Sequence, residues 1–282
     1  GKRPIRPRTI GKLTIRPRTI GKFAIYRAIR PDIVRPTIAT AAIAIAAALG
    51  ALIAASTLAV AAVAAIILAE HDPEAVILLM PSDHVIRDSA TFQAAIEAAL
   101  PVAENGALVT FGIQPTSPET GYGYIKKSDA IADQPGCFAV EAFVEKPDLA
   151  TAEIFLEEGS YFWNGGIFLF TVANFMAELE RSSPEIAAAC REAVQKSITD
   201  MDFHRLDEES FAACPSNSID YAVMEKSENV AVVPVDMGWS DVGSWDALWQ
   251  VLDKDGDGNV TSGDVILKGT SNSLIRSEDK LV

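Results

Sequence analysis

Neither a disulfide framework nor a zinc-ligand spacing is present in this chain. Its three cysteines, Cys137, Cys190 and Cys214, are odd in number and far apart, so a reducing, cytoplasmic setting is the simplest expectation. Positive charge is also in short supply, with 24 Lys and Arg against 38 Asp and Glu and a net charge of −14. The shortage is uneven. Residues 1–37 hold eleven basic residues against Asp32 alone, which leaves 13 basic and 37 acidic residues for the rest. So acidic a body lacks the basic footprint of a general nucleic-acid binder, and no nucleic-acid partner is expected. If its ligand is a polyphosphate, it needs a divalent cation and a few well-aimed lysines. Charge of either sign is missing from Pro36 to Ala69, a run dominated by Ala, Ile, Leu and Val. About twenty such residues can span a bilayer, and the basic flank fits a membrane tether. Against this, the run is mostly Ala and contains Thr37, Thr40, Ser56 and Thr57. One or two buried helices leading into a strand are the better expectation, and no membrane partner is expected.

Three domains are expected: an atypical basic segment over 1–35, a main domain over 36–250, and the start of a truncated β extension over 251–282. The first segment is a degenerate ten-residue repeat, GKRPIRPRTI, GKLTIRPRTI, GKFAIYRAIR. Its alternation of Ile with Arg or Thr suits short strands. A tail for an anionic surface and an artefactual terminus are the two readings, the second being the simpler.

Beyond residue 70, strand and helix patterns alternate. AVILLM (75–80) is the near-continuous apolar run of a strand buried on both faces. A helix is expected over 88–100, a strand over 107–113 and a pair of strands in GYGYIKKS and CFAVEAFVEKP. Helices follow at 149–159, closed by Gly159, and at 175–196, broken at Pro184. A short helix at 218–227 and a strand at 230–236 complete the pattern. Strands interleaved with helices indicate a three-layer α/β domain with a mostly parallel sheet.

Four motifs border these strands: Pro81-Ser82-Asp83-His84, Glu145-Lys146-Pro147, Trp163-Asn164-Gly165-Gly166 and Trp239-Ser240-Asp241-Val242-Gly243. Ligands of open α/β sheets sit beyond the carboxyl ends of the strands, so the motifs are expected to converge on one site. Asp83 and Asp241 together suit Mg²⁺, because two carboxylates plus phosphate oxygens make an octahedral site that one carboxylate does not. His84 is expected to be a structural hydrogen-bonder rather than a base. Glu145 offers a hydroxyl acceptor and Lys146 a phosphate-seeking cation. Pro147 is expected to hold Lys146 extended, so that the two side chains diverge. The glycines around Gly123 allow backbone to approach a ligand, and Asn164 can both donate and accept toward sugar hydroxyls. Residues 253–264 fit much of a calcium-binding EF-hand loop, with Asp264 in place of the bidentate Glu. A polar turn leading into a DVILKG strand is the preferred reading there.

PSDHVI, PETGYGYI, VEAFVEKPD, YFWNGGIFLF, SIDYAVMEK and GWSDVGSWDALW together resemble the bacterial mannose-1-phosphate guanylyltransferases, within the sugar nucleotidyltransferases. The likeness runs from about Ser56 onward. It implies a Rossmann-like, GT-A-like nucleotidyltransferase domain that makes GDP-mannose and pyrophosphate from GTP and mannose 1-phosphate. By that resemblance Asp83 and Asp241 hold Mg²⁺, Lys146 contacts the sugar phosphate, and Glu145, Asn164, Gly165 and the backbone near Gly123 contact the sugar. Asp83, Lys146 and Asp241 are thus the catalytic set. The family's glycine-rich GGxGxRLWPxS signature and its PKQ have no counterpart in residues 1–55, and a GRNTAP-like segment survives only as AASTLA, with Thr57 kept. A non-catalytic sugar-phosphate binder and a membrane-tethered protein are the alternatives, and a homo-oligomer is one open outcome.

Overall fold

The computed structural model describes residues 57–200 and 203–281, together with the backbone of three short strands, β1 (Thr14–Arg16), β2 (Thr19–Ile20) and β3 (Phe23–Ile29). The repeat therefore forms strands where it is described. The uncharged run is described from Thr57 on, as α1 (Thr57–Ala69); its earlier part lies outside the described residues. Apolar on every side, α1 has no solvent face to offer and buries eight residues, including Leu58, Val63 and Ile67. Among the described residues no helix is long and apolar enough to cross a membrane.

From α1 the chain runs through β4 (Val76–Pro81), β5 (Val85–Ile86), α2 (Ser89–Glu104), β6 (Leu108–Ile113), β7 (Tyr124–Ala130) and β8 (Phe138–Val144). Next come α3 (Leu149–Glu158), β9 (Tyr161–Thr171), α4 (Val172–Ser182), α5 (Pro184–Gln195), β10 (Ile198–Asp200), β11 (Phe203–Arg205) and α6 (Glu208–Ala212). A π-helical turn, Asp220–Met224, leads to β12 (Val230–Pro234), β13 (Trp239–Ser240), α7 (Trp245–Val251), β14 (Val260–Ser262) and β15 (Leu274–Arg276). Local chemistry sets these ends. Asp148 accepts from the Thr151 N–H to start α3, and Gly159 closes it at φ 66°. Pro184 takes the first position of α5 because its missing N–H has no helical partner to lose there.

A nine-stranded sheet has the order β1-β3-β4-β9-β6-β12-β8-β7, with β2 beside β3 and β7 also pairing β9. The α/β class holds, but the sheet is mixed rather than mostly parallel. Among the described residues, β6–β12 is its one parallel pairing. β9, an eleven-residue strand, enters antiparallel between β4 and β6, and β3–β4, β8–β12 and β7–β8 add further antiparallel pairs. Helices cover both faces. Leu108 joins α1, α4 and α5 in the main core, whereas Phe111, three residues along β6, turns to the other face and meets Phe92 of α2 edge-on at 5.5 Å.

Two compact units emerge from the packing. The larger contains Ala90–Asp236 and the described residues up to Ser82; the smaller joins Asp83–Ser89 to the segment from Met237 onward. In the smaller unit the expected DVILKG strand is absent. The strand is β14, one turn earlier, paired parallel with β15, and Ile266 within DVILKG is 70% exposed.

Candidate functional site

Strand register builds one cluster in the larger unit. Tyr124 of β7 pairs with Val144 of β8 on one side and Trp163 of β9 on the other. One step outward, Gly123 therefore meets Glu145 and Asn164, and the Asn164 N–H donates to the Gly123 carbonyl at 2.8 Å. Segments well separated along the chain thus converge because β7 starts and β8 ends where β9 passes. A Cβ at Gly123 would overlap Oε2 of Glu145 and press on Cβ of Asn164, so a side chain there would push Glu145 aside.

Asn164 is buried and its amide orientation is fixed by its partners. Oδ1 accepts from the Gly166 N–H at 3.1 Å and the Thr110 hydroxyl at 3.3 Å, and Nδ2 donates to Oδ1 of Asp220 at 2.7 Å. The single Thr110 proton is shared with the Ile167 carbonyl at 3.2 Å, so Asn164 keeps acceptor capacity at Oδ1 as well as a second N–H at Nδ2. Asp220, in the π-helical turn, is the residue that sequence reasoning passed over. Its only signal was an acid inside SIDYAVMEK. Burial raises the Asp220 carboxyl above its ordinary value, while the Asn164 hydrogen bond pulls the other way.

The Glu145 side chain is only 8% exposed, and its Oε2 is buried without a hydrogen-bond partner. Burial raises its pKa, and the nearby Asp220 charge adds to the shift. The Glu145 N–H donates to Oε1 of Glu225 at 3.0 Å, a second acid not anticipated from the sequence. Lys146 departs from expectation. Its φ is 50°, in the left-handed region rather than extended, and its Nζ lies 3.1 Å from Oε1 of Glu145. The two side chains therefore converge, with Lys146 56% exposed at the rim and its pKa raised chiefly by the hydrogen bond to Glu145. Gly165 lets β9 close on β6, since a Cβ there would sit 3.3 Å from the Phe111 carbonyl. The cluster offers a ligand one buried carboxylate oxygen, one amide group and one mobile cation.

The smaller unit holds the other acids. β5 and β13 form an antiparallel ribbon, Ser240 opposite Val85 and Trp239 opposite Ile86. Asp241 follows Ser240 and Asp83 lies two residues before Val85, so both leave the same end of the ribbon. His84 is the expected hydrogen-bonder. Its Nδ1 accepts from the Trp239 indole N–H at 3.2 Å, with the rings edge to face. Burial lowers the His84 pKa, and Asp83 and Asp241 push it back up, which puts both carboxylates within electrostatic reach of one imidazole. The turn after β13 is strained. Val242 sits at φ 51°, a conformation β-branched residues rarely adopt, while Oδ1 of Asp241 accepts from the Gly243 N–H at 3.2 Å. Two hard oxygen donors at one ribbon end fit a divalent cation as a partial ligand set. Among the described residues no group of three or more ligating side chains exists, so phosphate and water oxygens would have to complete it. The EF-hand-like stretch is a polar turn instead: Oδ1 of Asp255 accepts from the N–H groups of Asp257 and Asn259 at 3.0 and 2.7 Å.

The nucleotidyl transferase family model matches residues 37–258. The chain belongs to the nucleotidyl transferase family. This member is 54% identical over 205 residues to the xanthan biosynthesis protein XanB of Xanthomonas campestris pv. campestris (strain B100), covering 73% of this chain and 43% of that protein. It is 47% identical over 225 residues to mannose-1-phosphate guanylyltransferase of Escherichia coli (strain K12), covering 78% and 47% of the two chains. Among solved structures it resembles mannose-1-phosphate geranyltransferase from Thermus thermophilus, with a TM-score of 0.68, 32% identity, and coverage of 81% of this chain and 65% of that one. The chain spans less than half the length of these two curated relatives. Of the residues expected to act, Gly123, Glu145, Lys146, Asn164 and Gly165 are neighbours in the larger unit, and Asp83 and Asp241 are neighbours in the smaller one.

Proposed function

We propose that this chain carries the mannose-1-phosphate guanylyltransferase reaction, in which GMP passes from GTP to mannose 1-phosphate and GDP-mannose and pyrophosphate form. The observation that carries the reading is the unpartnered Oε2 of Glu145 held beside the oriented Asn164 amide. Over about three quarters of its length the chain is 50% and 47% identical to two proteins named for this reaction, and a buried acceptor beside a fixed donor suits a polyhydroxylated ligand. A sugar hydroxyl donates to Glu145 Oε2, and a neighbouring sugar oxygen accepts the free N–H of Asn164. Lys146, at the rim, exchanges Glu145 for the sugar phosphate. Its charge then holds the phosphate oxygen in line for attack on the α-phosphorus of GTP. Positioning and charge neutralisation supply most of the acceleration in such transfers.

Asp83 and Asp241 would hold Mg²⁺, which neutralises the triphosphate and the departing pyrophosphate when bound. His84 keeps the ribbon end in shape through Trp239. Substrates of this kind are water-soluble, and the cytoplasm is the compartment that fits them. Pyrophosphate release from GTP plus mannose 1-phosphate, with and without Mg²⁺, tests the reading. Release that requires both substrates and the metal supports it. Binding of mannose 1-phosphate without any turnover would make the chain a sugar-phosphate binder instead.

A further inference from the structure

Outside the candidate site, the sulfurs of Cys190 and Cys214 face each other at 3.9 Å. Their separation of 24 residues gave no hint of this in the sequence. Cys190 lies on α5, fully buried, with its sulfur 3.7 Å from the Ala59 carbonyl of α1. Cys214 lies just past α6, partly exposed. The two helices are tied by the Asp207 N–H to the Ala193 carbonyl at 3.2 Å and by Lys196 Nζ to the Ser210 hydroxyl at 3.3 Å. The approach of the sulfurs is therefore built into helix packing. A gap of 3.9 Å is non-bonded contact, and a disulfide requires the sulfurs to close to about 2.05 Å.

We propose that Cys190 and Cys214 are a reversible disulfide-forming site, oxidised by exchange with a low-molecular-weight disulfide such as oxidised glutathione. The partly exposed Cys214 acts first. Its thiolate attacks one sulfur of the incoming disulfide, forms a mixed disulfide and expels one small thiolate. Cys190 then gives its proton to solvent base and attacks the Cys214 sulfur. The Cys190–Cys214 bond forms and the second small thiolate leaves. Two protein sulfurs are oxidised and one small disulfide is reduced to two thiols, so electrons and protons balance.

The environments fit that order. The sulfur–sulfur hydrogen bond with Cys190, in which either thiol can donate, holds the Cys214 thiol below its ordinary value and favours the attacking thiolate. The same hydrogen bond, followed by burial, pushes Cys190 far up. The second step is therefore the slow one and accelerates at alkaline pH. Closing the bond clips β10, β11 and α6 onto α5, just upstream of the turn that brings Asp220 to Asn164.

The test uses the full chain under native conditions with oxidised glutathione, quenched in acid, alkylated, digested and mapped by mass. The expected product is a single cross-linked peptide pair containing Cys190 and Cys214, released by dithiothreitol, with Cys137 still a thiol. Cys190→Ser should leave glutathione stably attached to Cys214. Cys214→Ser, at the partly exposed position, should slow reaction of the remaining pair by about tenfold or more. Persistent glutathione on Cys214 of the unaltered chain would overturn the proposal, because the second thiol then does not reach. No reaction, or a cross-link through Cys137, would overturn it equally.

Discussion

The acid–amide cluster of the larger unit and the carboxylate ribbon of the smaller unit solve different problems with the same residue type. The Glu145 side chain is buried and Asp220 half-buried, and partners from distant segments of the chain fix their neighbours. Asp83 is exposed and Asp241 half-buried, and Asp241 is aimed by its own turn, where Val242 accepts left-handed geometry. Buried carboxylates near neutral amides suit hydroxyl recognition, where geometry carries the selectivity. Exposed carboxylates keep their hydration and charge and can exchange water for a hydrated cation. The difference teaches that removing a ribbon acid should cost chemistry and little stability, whereas removing a cluster acid should cost both.

The largest effect is expected from Asp241→Asn. Loss of half of a two-carboxylate cation site should cut Mg²⁺-dependent pyrophosphate release by about a hundredfold or more. Melting temperature should barely move, because the Gly243 N–H still finds an amide oxygen. Undiminished turnover in this variant would remove the ribbon from the reaction.

Asp220→Ala should come next and behave differently. It strands the Nδ2 of Asn164, a buried donor whose loss of partner costs about 1–3 kcal/mol. A free amide also loses its orientation, so KM for mannose 1-phosphate should rise while KM for GTP stays. Asp220→Asn keeps an acceptor oxygen and should recover most of both. If Ala and Asn variants are equally impaired, the carboxylate charge matters rather than the hydrogen bond.

Much of this arrangement was legible in the sequence, for identifiable reasons. Helix ends at Gly159 and Pro184 follow from residues whose backbone chemistry allows few alternatives. The apolar runs at 75–80 and 107–113 became β4 and β6, short buried strands as their length and β-branched residues suggest, whereas the longer Ala-rich run at 57–69 became the helix α1. What stayed hidden depends on partners distant in sequence. The antiparallel entry of β9 between β4 and β6 depends on pairing with strands distant in sequence, which no local pattern encodes. Lys146 was expected to be extended because proline disfavours only the right-handed helical region before it. The left-handed turn that closes on Glu145 is set by tertiary packing. Asp220 was invisible for the same reason, since its role exists only once Asn164 lies beside it.

A smaller effect is expected from Lys146→Ala. The side chain is 56% exposed, so folding should change little, and its ion pair with Glu145 is a rim contact. Without the cation, KM for mannose 1-phosphate should rise about tenfold, by loss of one charge-assisted hydrogen bond. An unchanged KM would move the phosphate contact elsewhere.

The smallest effect concerns protons. Glu145 and Asp220 have carboxyl pKa values raised by burial above their ordinary 4.5 and 3.8. The folded chain therefore holds these protons more tightly than the unfolded chain. Their contribution to stability is complete below the ordinary values and is lost as pH rises through the raised, folded ones. Glu145→Gln removes one titrating member and keeps its shape. The variant's melting temperature, relative to the unaltered chain, should therefore rise as pH climbs above the ordinary 4.5 and through the raised value at which the unaltered Glu145 is forced to ionise. If the difference instead falls with pH, Lys146 stabilises the ionised carboxylate more than burial and Asp220 oppose it. The cluster would then resemble the ribbon: a charged site, tuned by its cation rather than by exclusion of water.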